Sequence, residues 1–269
     1  MIPNTLSIAG VDPSGGAGVL ADVKAMSALG AYGMAVVAAL TAQNTQAVTG
    51  VQPVPPAFVA LQIDTLFADI RIDAVKIGML GQQAVTRVVA ERLAHWKPAH
   101  IVLDPVMIAK SGDSLLERDA IDELRESLLP LATVLTPNLP EAAVLVGGAT
   151  AENLRDMRRV AEKLRRLLSD SGQRWVFLKG GHLPGQDTID LLHDGDRMIE
   201  LPGRRIDTRN THGTGCTLSA ALAALLPQHP DLPTAAQLAK AYLVAAIGQA
   251  DRLQVGSGHG PVQHFHAWW

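Results

Sequence analysis

The segment from Thr208 to Thr217, Thr-Arg-Asn-Thr-His-Gly-Thr-Gly-Cys-Thr, combines residue types that can bind an anion and activate a nucleophile. It is followed directly by the small-residue helical pattern LSAALAALL. A glycine-flanked turn that opens a helix presents unpaired backbone N–H groups, with the positive end of the helix dipole behind them. Gly213, Thr214 and Gly215 can therefore cradle a phosphate. The alternative is an ordinary glycine turn in which Thr214 or Thr217 caps the helix.

Cys216 is the only cysteine of the sequence and falls in the first turn of this predicted helix. A thiol at a helix start has its pKa lowered, so we predict that Cys216 takes the proton of an attacking hydroxyl. The alternative is that the thiol lines a pocket as a small apolar group. A lone cysteine cannot form an internal disulfide, which indicates a reducing compartment.

Charged residues follow apolar strand patterns at points where parallel strands would end. Asp104 ends the run IVLD, and Glu141 follows the run TVLT closely. We predict that these two carboxylates hold Mg²⁺ largely through water, because magnesium keeps several of its waters. Asn138 is also expected to be the N-cap of a helix with Glu141 in its first turn. Lys179 ends the run WVFL and can meet a transferring phosphate, although a strand-end lysine is more often solvated.

A second glycine-rich stretch lies at 10–18, but it fits neither common nucleotide-binding loop at the proper spacing. Its glycines, Gly10 first, allow close backbone approach to a flat substrate. Asp22 on the following helix offers a carboxylate to a ring amine, or is simply an exposed helix residue. Gln43 follows a buried strand, where its amide can pair with the edge of a heterocycle. The alternative is that the polar residues 41–45 only form a turn after the strand.

These residues are positioned by alternating strand and helix patterns, which predict parallel strands joined by right-handed helical crossovers. The strands read as continuous apolar runs, as expected for strands buried on both faces. They are predicted at 6–10, 34–40, 74–78, 100–106, 133–138 and 175–181, with helices at 17–29, 56–69, 82–95, 117–129, 140–147, 213–226 and 234–251. The segment 188–201 predicts a hairpin that turns at Asp194-Gly195 and forms an antiparallel edge.

Composition narrows the class of protein further. The 269 residues, 48% of them apolar, contain no charge-rich block, so one domain over 1–269 with a large core is expected. A net charge of −3 gives no electrostatic basis for binding nucleic acid or an anionic membrane. No leader pattern or long apolar span is found, which predicts a cytoplasmic protein with small-molecule partners. His264 and His266 make a poor metal site, and their aromatic segment is expected to dock onto the body.

Taken together, several motifs resemble the hydroxymethylpyrimidine/phosphomethylpyrimidine kinase family of thiamine biosynthesis, in the ribokinase-like superfamily. They are IAGVDPSGGAGVLADVKAMSALGAYG, TAQNTQAV, VKIGML, VLDPVMIAKSGDSLL, LTPNLPEAA, LKGGH, NTHGTGCTLSAALAALL and GPVQHFHAWW. The resemblance spans nearly the whole chain and is weakest at about 149–174 and 182–205. Single motifs are shared with pyridoxal kinases. The cysteine of G-T-G-C is more specific, because the wider superfamily usually has aspartate there.

The resemblance implies an α/β/α sandwich around a mainly parallel sheet with an antiparallel edge, a homodimer, and Mg-ATP as phosphoryl donor. It also implies two successive transfers, first to the 5-hydroxymethyl group of an aminopyrimidine and then to the phosphate so formed. Pyrimidine contacts are implied for Gly10, Asp22, Gln43 and Met79, and nucleotide or metal contacts for Asp104, Glu141, Lys179 and Thr211. The implied anion hole is Gly213, Thr214 and Gly215, with Cys216 as the base.

A loop at 107–116 is expected to close over this site and exclude water. Lys179, the anion hole and Lys110 would supply positive charge for the second transfer, in which the acceptor is itself a phosphate. Two rival functions stay open. One is a pyridoxal kinase of the same superfamily, and the other is a non-catalytic pyrimidine-binding protein.

Overall fold

A mixed sheet of nine strands crosses the computed structural model, which describes residues 1–107 and 118–269. The strands are β1 Asn4–Val11, β2 Tyr32–Gln43, β3 Val48–Pro53, β4 Ala74–Ile77, β5 Ile101–Leu103, β6 Val134–Leu135, β7 Trp175–Leu178, β8 Asp187–His193 and β9 Met198–Arg204. They lie in the order β3-β2-β1-β4-β5-β6-β7-β8-β9. The predicted parallel centre is confirmed, since β2, β1, β4, β5, β6 and β7 pair in parallel.

Both edges of the sheet are antiparallel. The predicted hairpin is confirmed as β8 and β9, and β8 also pairs antiparallel with β7. At the other edge β3 pairs antiparallel with β2, which the sequence did not predict. The sequence VTGVQP of β3 is short and exposed, so it lacks the apolar run that marked the buried strands.

Helices cover both faces of the sheet and complete the predicted three-layer sandwich. They are α1 Gly18–Ala28, α2 Pro56–Asp69, α3 Gln83–Trp96, α4 Arg118–Glu123, α5 Leu139–Val146, α6 Leu154–Arg165, α7 Thr214–Leu225 and α8 Leu232–Gly248. One apolar core joins α1, α7 and α8 to the sheet, and a second lies under α2 to α6. Over the described ranges, no helix is both long and apolar enough to span a bilayer.

Two helical segments differ from prediction. Helix α6 was missed, although Asn153 caps its first turn and Met157, Val160 and Leu164 repeat at helical spacing toward the core. The helix predicted at 117–129 is α4 over its first part and continues as a π-helical turn from Leu124 to Leu128. Most of the predicted 107–116 loop, Lys110 included, lies outside the described residues.

A fully buried ion pair joins α1 to the central strand β4. The Nζ of Lys76 lies 2.7 Å and 2.9 Å from the two carboxylate oxygens of Asp22, and the Ser7 hydroxyl donates to the same carboxylate at 2.6 Å. Burial opposes the charge of Lys76, but Asp22 outweighs it and holds the pKa of Lys76 above its ordinary value. The alternative that Asp22 is an exposed helix residue is therefore wrong.

Replacing Lys76 by methionine should destabilise the fold strongly, because Asp22 would remain buried without its counter-charge. Breaking a buried pair by removing one partner costs about 3–5 kcal/mol. Urea unfolding followed by circular dichroism measures the change. Lys163→Met, at an exposed position of α6, is the matched control and should change stability little. Equal unfolding midpoints for the two variants would contradict the prediction.

Candidate active site

A cavity of about 440 Å³ opens at the carboxyl ends of the parallel strands, where open α/β sheets bind their ligands. Its walls come from the segments that follow β1, β2, β4, β5, β6 and β7, and from the start of α7. Of the predicted site residues it is lined by Gly10, Gln43, Met79, Asp104, Glu141, Lys179, Thr211, Gly213, Thr214, Gly215 and Cys216. Asp22 is the exception, since it lies in the buried pair with Lys76.

The start of α7 forms an amide-lined end of this cavity. Gly213 is the N-cap and has a φ of 74°, in the left-handed region that favours glycine. A Cβ atom there would clash with the carbonyl oxygen of Gly16. No side chain caps this helix, so the alternative in which Thr214 or Thr217 does so is wrong. The N–H groups of the first turn thus lack helical partners, which is the geometry of an anion site.

Lys179 lies next to these amides and contacts two carboxylates. Its Nζ is 3.0 Å from Oδ1 of Asp104 and 3.9 Å from Oε2 of Glu141. Asp104 also accepts hydrogen bonds from the hydroxyls of Ser219, at 3.0 Å, and Thr136, at 3.2 Å. A Cβ at Gly215 would lie 3.3 Å from the Lys179 ammonium. The lysine is therefore shared between the carboxylates and the anion site.

Burial sets the charges of this cluster. Burial raises the pKa of Glu141 to about 7, with Asp104 adding to the shift and Lys179 opposing it. Burial also opposes ionisation of Asp104, but Lys179 and Lys76 outweigh it and hold the pKa of Asp104 below its usual value. The carboxylates in turn keep the pKa of Lys179 above normal, against the effect of burial. Near neutral pH, Lys179 is charged and Glu141 binds a proton part of the time.

Glu141 serves the fold as well as the cavity. Its backbone N–H donates to Oδ1 of Asn138 at 2.9 Å, and its side chain accepts from the Asn138 N–H at 2.7 Å. This capping box confirms the predicted N-cap of α5. It leaves the carboxylate at the cavity wall, with its orientation set by the helix start.

The donor set fits a magnesium ion that is held mainly by water and phosphate. In residues 1–107 and 118–269, no three acidic, histidine or cysteine side chains cluster as a metal cage. Two carboxylates at one wall are what magnesium uses when it retains several waters. A cation bound at this wall would also favour the ionised form of Glu141, whose charge burial opposes.

Cys216 faces the cavity from the third position of α7, but its predicted acidity is wrong. Burial raises the pKa of the thiol to about 11. Lys76 opposes this shift, while Asp22 and Asp104 add to it. Desolvation in this protein interior therefore exceeds the effect of the helix start, and the thiol is neutral near pH 7.

The opposite wall suits a flat, polar-edged ligand. The N–H of Gly10 donates to the Met79 carbonyl at 3.0 Å, and a Cβ at Gly10 would lie 2.7 Å from the Met79 methyl. The Thr41 hydroxyl lies 2.9 Å from the Val11 carbonyl oxygen and 3.2 Å from Oε1 of Gln43. Gly10 and Met79 thus form a flat surface, and the Gln43 amide stands at its edge.

One buried pair in the cavity wall was missed from sequence. Oδ2 of Asp12 lies 2.7 Å from Nε2 of His212, and the Asp12 carboxylate also accepts from the N–H groups of Ser14 and Ala17. Burial opposes ionisation of Asp12, but bonds from His212 and Ser14 lower its pKa. The pair connects the glycine-rich loop to the residue before Gly213. Asp-Pro-Ser-Gly is a turn signal that places such a carboxylate, but sequence alone does not identify its distant partner.

Comparison with known proteins shows what this chain is similar to. The family model described as phosphomethylpyrimidine kinase matches residues 12–263. A hydroxymethylpyrimidine/phosphomethylpyrimidine kinase of Rhizobium meliloti is 52% identical over 264 residues, which cover 98% of this chain and 97% of that one. Sequence similarity therefore extends across every segment that lines the cavity.

Solved structures agree with the fold. A phosphomethylpyrimidine kinase from Clostridium difficile is 39% identical, with a TM-score of 0.80 over 91% of this chain and 99% of that one. A pyridoxal kinase from Staphylococcus aureus, solved with AMP-PCP and pyridoxal, is 31% identical, with a TM-score of 0.89 over 100% and 95%. Kinases named for two different heteroaromatic compounds thus share this architecture.

Alkylation of Cys216 by iodoacetamide should be slow at pH 7 and should accelerate about tenfold per pH unit up to at least pH 9.5. The reason is that the thiolate reacts, and a pKa of about 11 keeps the thiolate rare throughout this range. Mass spectrometry follows the reaction without ambiguity, because the sequence has one cysteine. A rate that levels off below pH 8 would show a thiol of low pKa instead.

Proposed function

The chain belongs to the phosphomethylpyrimidine kinase family, and from that premise we propose how its own residues carry out the reaction. The chain is a bifunctional kinase of thiamine biosynthesis. It phosphorylates 4-amino-5-hydroxymethyl-2-methylpyrimidine and then the resulting monophosphate, with ATP as donor. The observation that carries the residue assignment is the placement of the amide-lined start of α7 beside Lys179, facing the flat wall of Gly10 and Met79.

The donor phosphates bind at the α7 end of the cavity. Backbone N–H groups of Thr214, Gly215 and Cys216 receive the γ-phosphate, with Gly213 allowing the close turn. Lys179 neutralises charge that develops on the transferring group, and Thr211 contacts the nucleotide. These groups are held in place before the reaction, which is how fixed dipoles stabilise a transition state most effectively.

The acceptor alcohol binds at the opposite wall. Gly10 and Met79 pack against the faces of the pyrimidine ring, and Gln43 pairs with its edge. The predicted contact of Asp22 with the aminopyrimidine is not part of this proposal, because its buried carboxylate pairs with Lys76 and does not line the cavity. This arrangement directs the hydroxymethyl oxygen toward Cys216, so that the nucleophile and the phosphate meet in line.

Asp104 and Glu141 would hold a magnesium ion, whose charge supports binding of the nucleotide phosphates. Cys216 accepts the proton of the hydroxymethyl group in its thiolate form. A pKa of about 11 leaves about one thiolate in 10,000 molecules at pH 7, so this role makes the rate depend on pH. Phosphoryl transfer tolerates a scarce base, because its transition state is loose.

We also propose a cytoplasmic homodimer built from one domain. Exposed apolar side chains on β2, β3 and α2 support the dimer, because apolar surface left exposed in one chain is suited to burial between two. They are Tyr32 and Leu40 on β2, Val51 on β3, and Phe58 and Leu61 on α2.

Parallel assays with three acceptors test the function. With Mg-ATP, hydroxymethylpyrimidine and its monophosphate should both be phosphorylated, with kcat/KM at least tenfold above that for pyridoxal, because Gln43 matches an aminopyrimidine edge. Coupled detection of ADP measures each rate. Preferential turnover of pyridoxal would establish the rival kinase, and binding of the pyrimidine without ADP release would establish a non-catalytic protein.

Replacement of Cys216 separates the base role from a packing role. Cys216→Ala should lower kcat at least tenfold, with a smaller change in KM for the alcohol, while Cys216→Asp should retain part of the activity. The kcat of the parent should rise with pH between 6 and 9, and that dependence should weaken in the aspartate variant, whose side chain ionises at lower pH. A flat parent profile together with an active alanine variant would leave the thiol a packing role only.

A further inference from the structure

The segment Gly260–His264 contacts the residues on both sides of the phosphate-binding turn but does not line the cavity. The part from Gly260 to His264 is buried, which is unusual for a stretch with a glutamine and a histidine. It is hydrogen-bonded to His212, which directly precedes the turn Gly213–Cys216, and to Thr217, which directly follows that turn. The four residues between these contacts carry the amides assigned to the phosphate.

On the first side, the backbones of the two segments join. The N–H of His212 donates to the Gly260 carbonyl at 3.0 Å, and His212 forms a parallel bridge with Pro261. A side chain at position 260 would clash with the Asn210 amide oxygen. The backbone bond from His212 and its bridge to Pro261 hold His212 in position for its bond with Asp12.

On the second side, the contact is made by side chains. Nε2 of His264 lies 3.0 Å from the hydroxyl of Thr217, and both residues are buried. The segment is anchored in turn to α8, because the Tyr242 hydroxyl donates to the His264 carbonyl at 2.7 Å and the Gln263 N–H donates to the Ala246 carbonyl at 3.0 Å. The first turn of α7 is thereby tied to a helix that does not line the cavity.

The bond to Thr217 does not depend on pH in the working range. Burial lowers the pKa of His264 to about 3, and the Lys24 ammonium adds to this effect. The ring is therefore neutral above pH 5, and it acts through a hydrogen bond and its shape. Loss of a hydrogen bond between two buried groups leaves the remaining partner unsatisfied, which favours movement of the helix start.

We propose that Gly260–His264 is a positioning element for phosphoryl transfer, with His264 as a positioning residue that acts through Thr217. This inference rests on the proposed phosphate site at Gly213–Cys216. Amides stabilise a transition state only when they are fixed at hydrogen-bonding distance, and small misplacements cost large factors in rate. His264 and the His212–Gly260 contact hold the two ends of that turn against displacement by the charged nucleotide.

The test compares His264→Ala, His264→Gln and Thr217→Val in the full chain, assayed well below their melting temperatures. His264→Ala and Thr217→Val should each lower kcat about tenfold or more, with KM for the pyrimidine within about threefold of the parent. His264→Gln should recover at least a third of the parent kcat, because its amide can reach the Thr217 hydroxyl. The double variant His264→Ala/Thr217→Val should be no slower than the worse single variant, since both remove one bond.

Val160→Ala, in the core beneath α6, is the control for lost stability. It should lower the melting temperature while leaving kcat near that of the parent. If His264→Ala and Thr217→Val both keep a kcat within threefold of that of the parent, the inference is overturned. It is also overturned if Val160→Ala, at the same loss of melting temperature, lowers kcat as much as these two variants do. Lys179→Met, run in parallel, separates this result from failure of the site itself. If Lys179→Met keeps full activity, the proposed phosphate site is wrong.

Discussion

Mutual neutralisation of buried charges is the constraint on which this structure depends. Lys76 and Lys179 meet Asp22, Asp104 and Glu141 at one end of the sheet, where little water reaches them. An isolated charge in such a place would be unstable or would lose its ionisation. The strands, α1 and the start of α5 are therefore held in one arrangement by the need to pair these groups. The same pairing leaves Lys179 charged beside the amides of α7.

The charge balance also explains why this end of the sheet suits a polyphosphate. Glu141 has a pKa of about 7 because burial disfavours its charge and Asp104 adds to this effect, while Lys179 opposes it. Asp104 stays ionised through two lysines and two hydroxyls. The wall is thus acidic enough for a divalent cation, while the facing amides and Lys179 suit an anion. On the proposed assignment, the donor phosphates lie between the acidic wall, which suits a divalent cation, and the amides of α7 with Lys179, which suit an anion.

Sequence predicted the features that follow from local pattern and missed those that depend on distant pairing. Apolar runs identified the parallel strands, and the Gly-Thr-Gly turn identified the start of α7, because both signals are contained in adjacent residues. β3 is exposed, so it left no such run. The helical spacing of α6 is present in the sequence, but no helix was predicted there. The partners Lys76 for Asp22 and His212 for Asp12 are 54 and 200 residues away, and no local pattern records them.

Cys216 shows how one local rule was overruled. A helix start lowers the pKa of a thiol, but burial outweighs this effect and raises the pKa of Cys216 to about 11. A neutral group at this position has a physical advantage if the acceptor in the second transfer already carries a phosphate. An aspartate, the usual residue of the wider superfamily here, would place a like charge against that acceptor and weaken its binding. The thiol avoids this repulsion, and the scarcity of its thiolate is the accompanying cost to proton transfer.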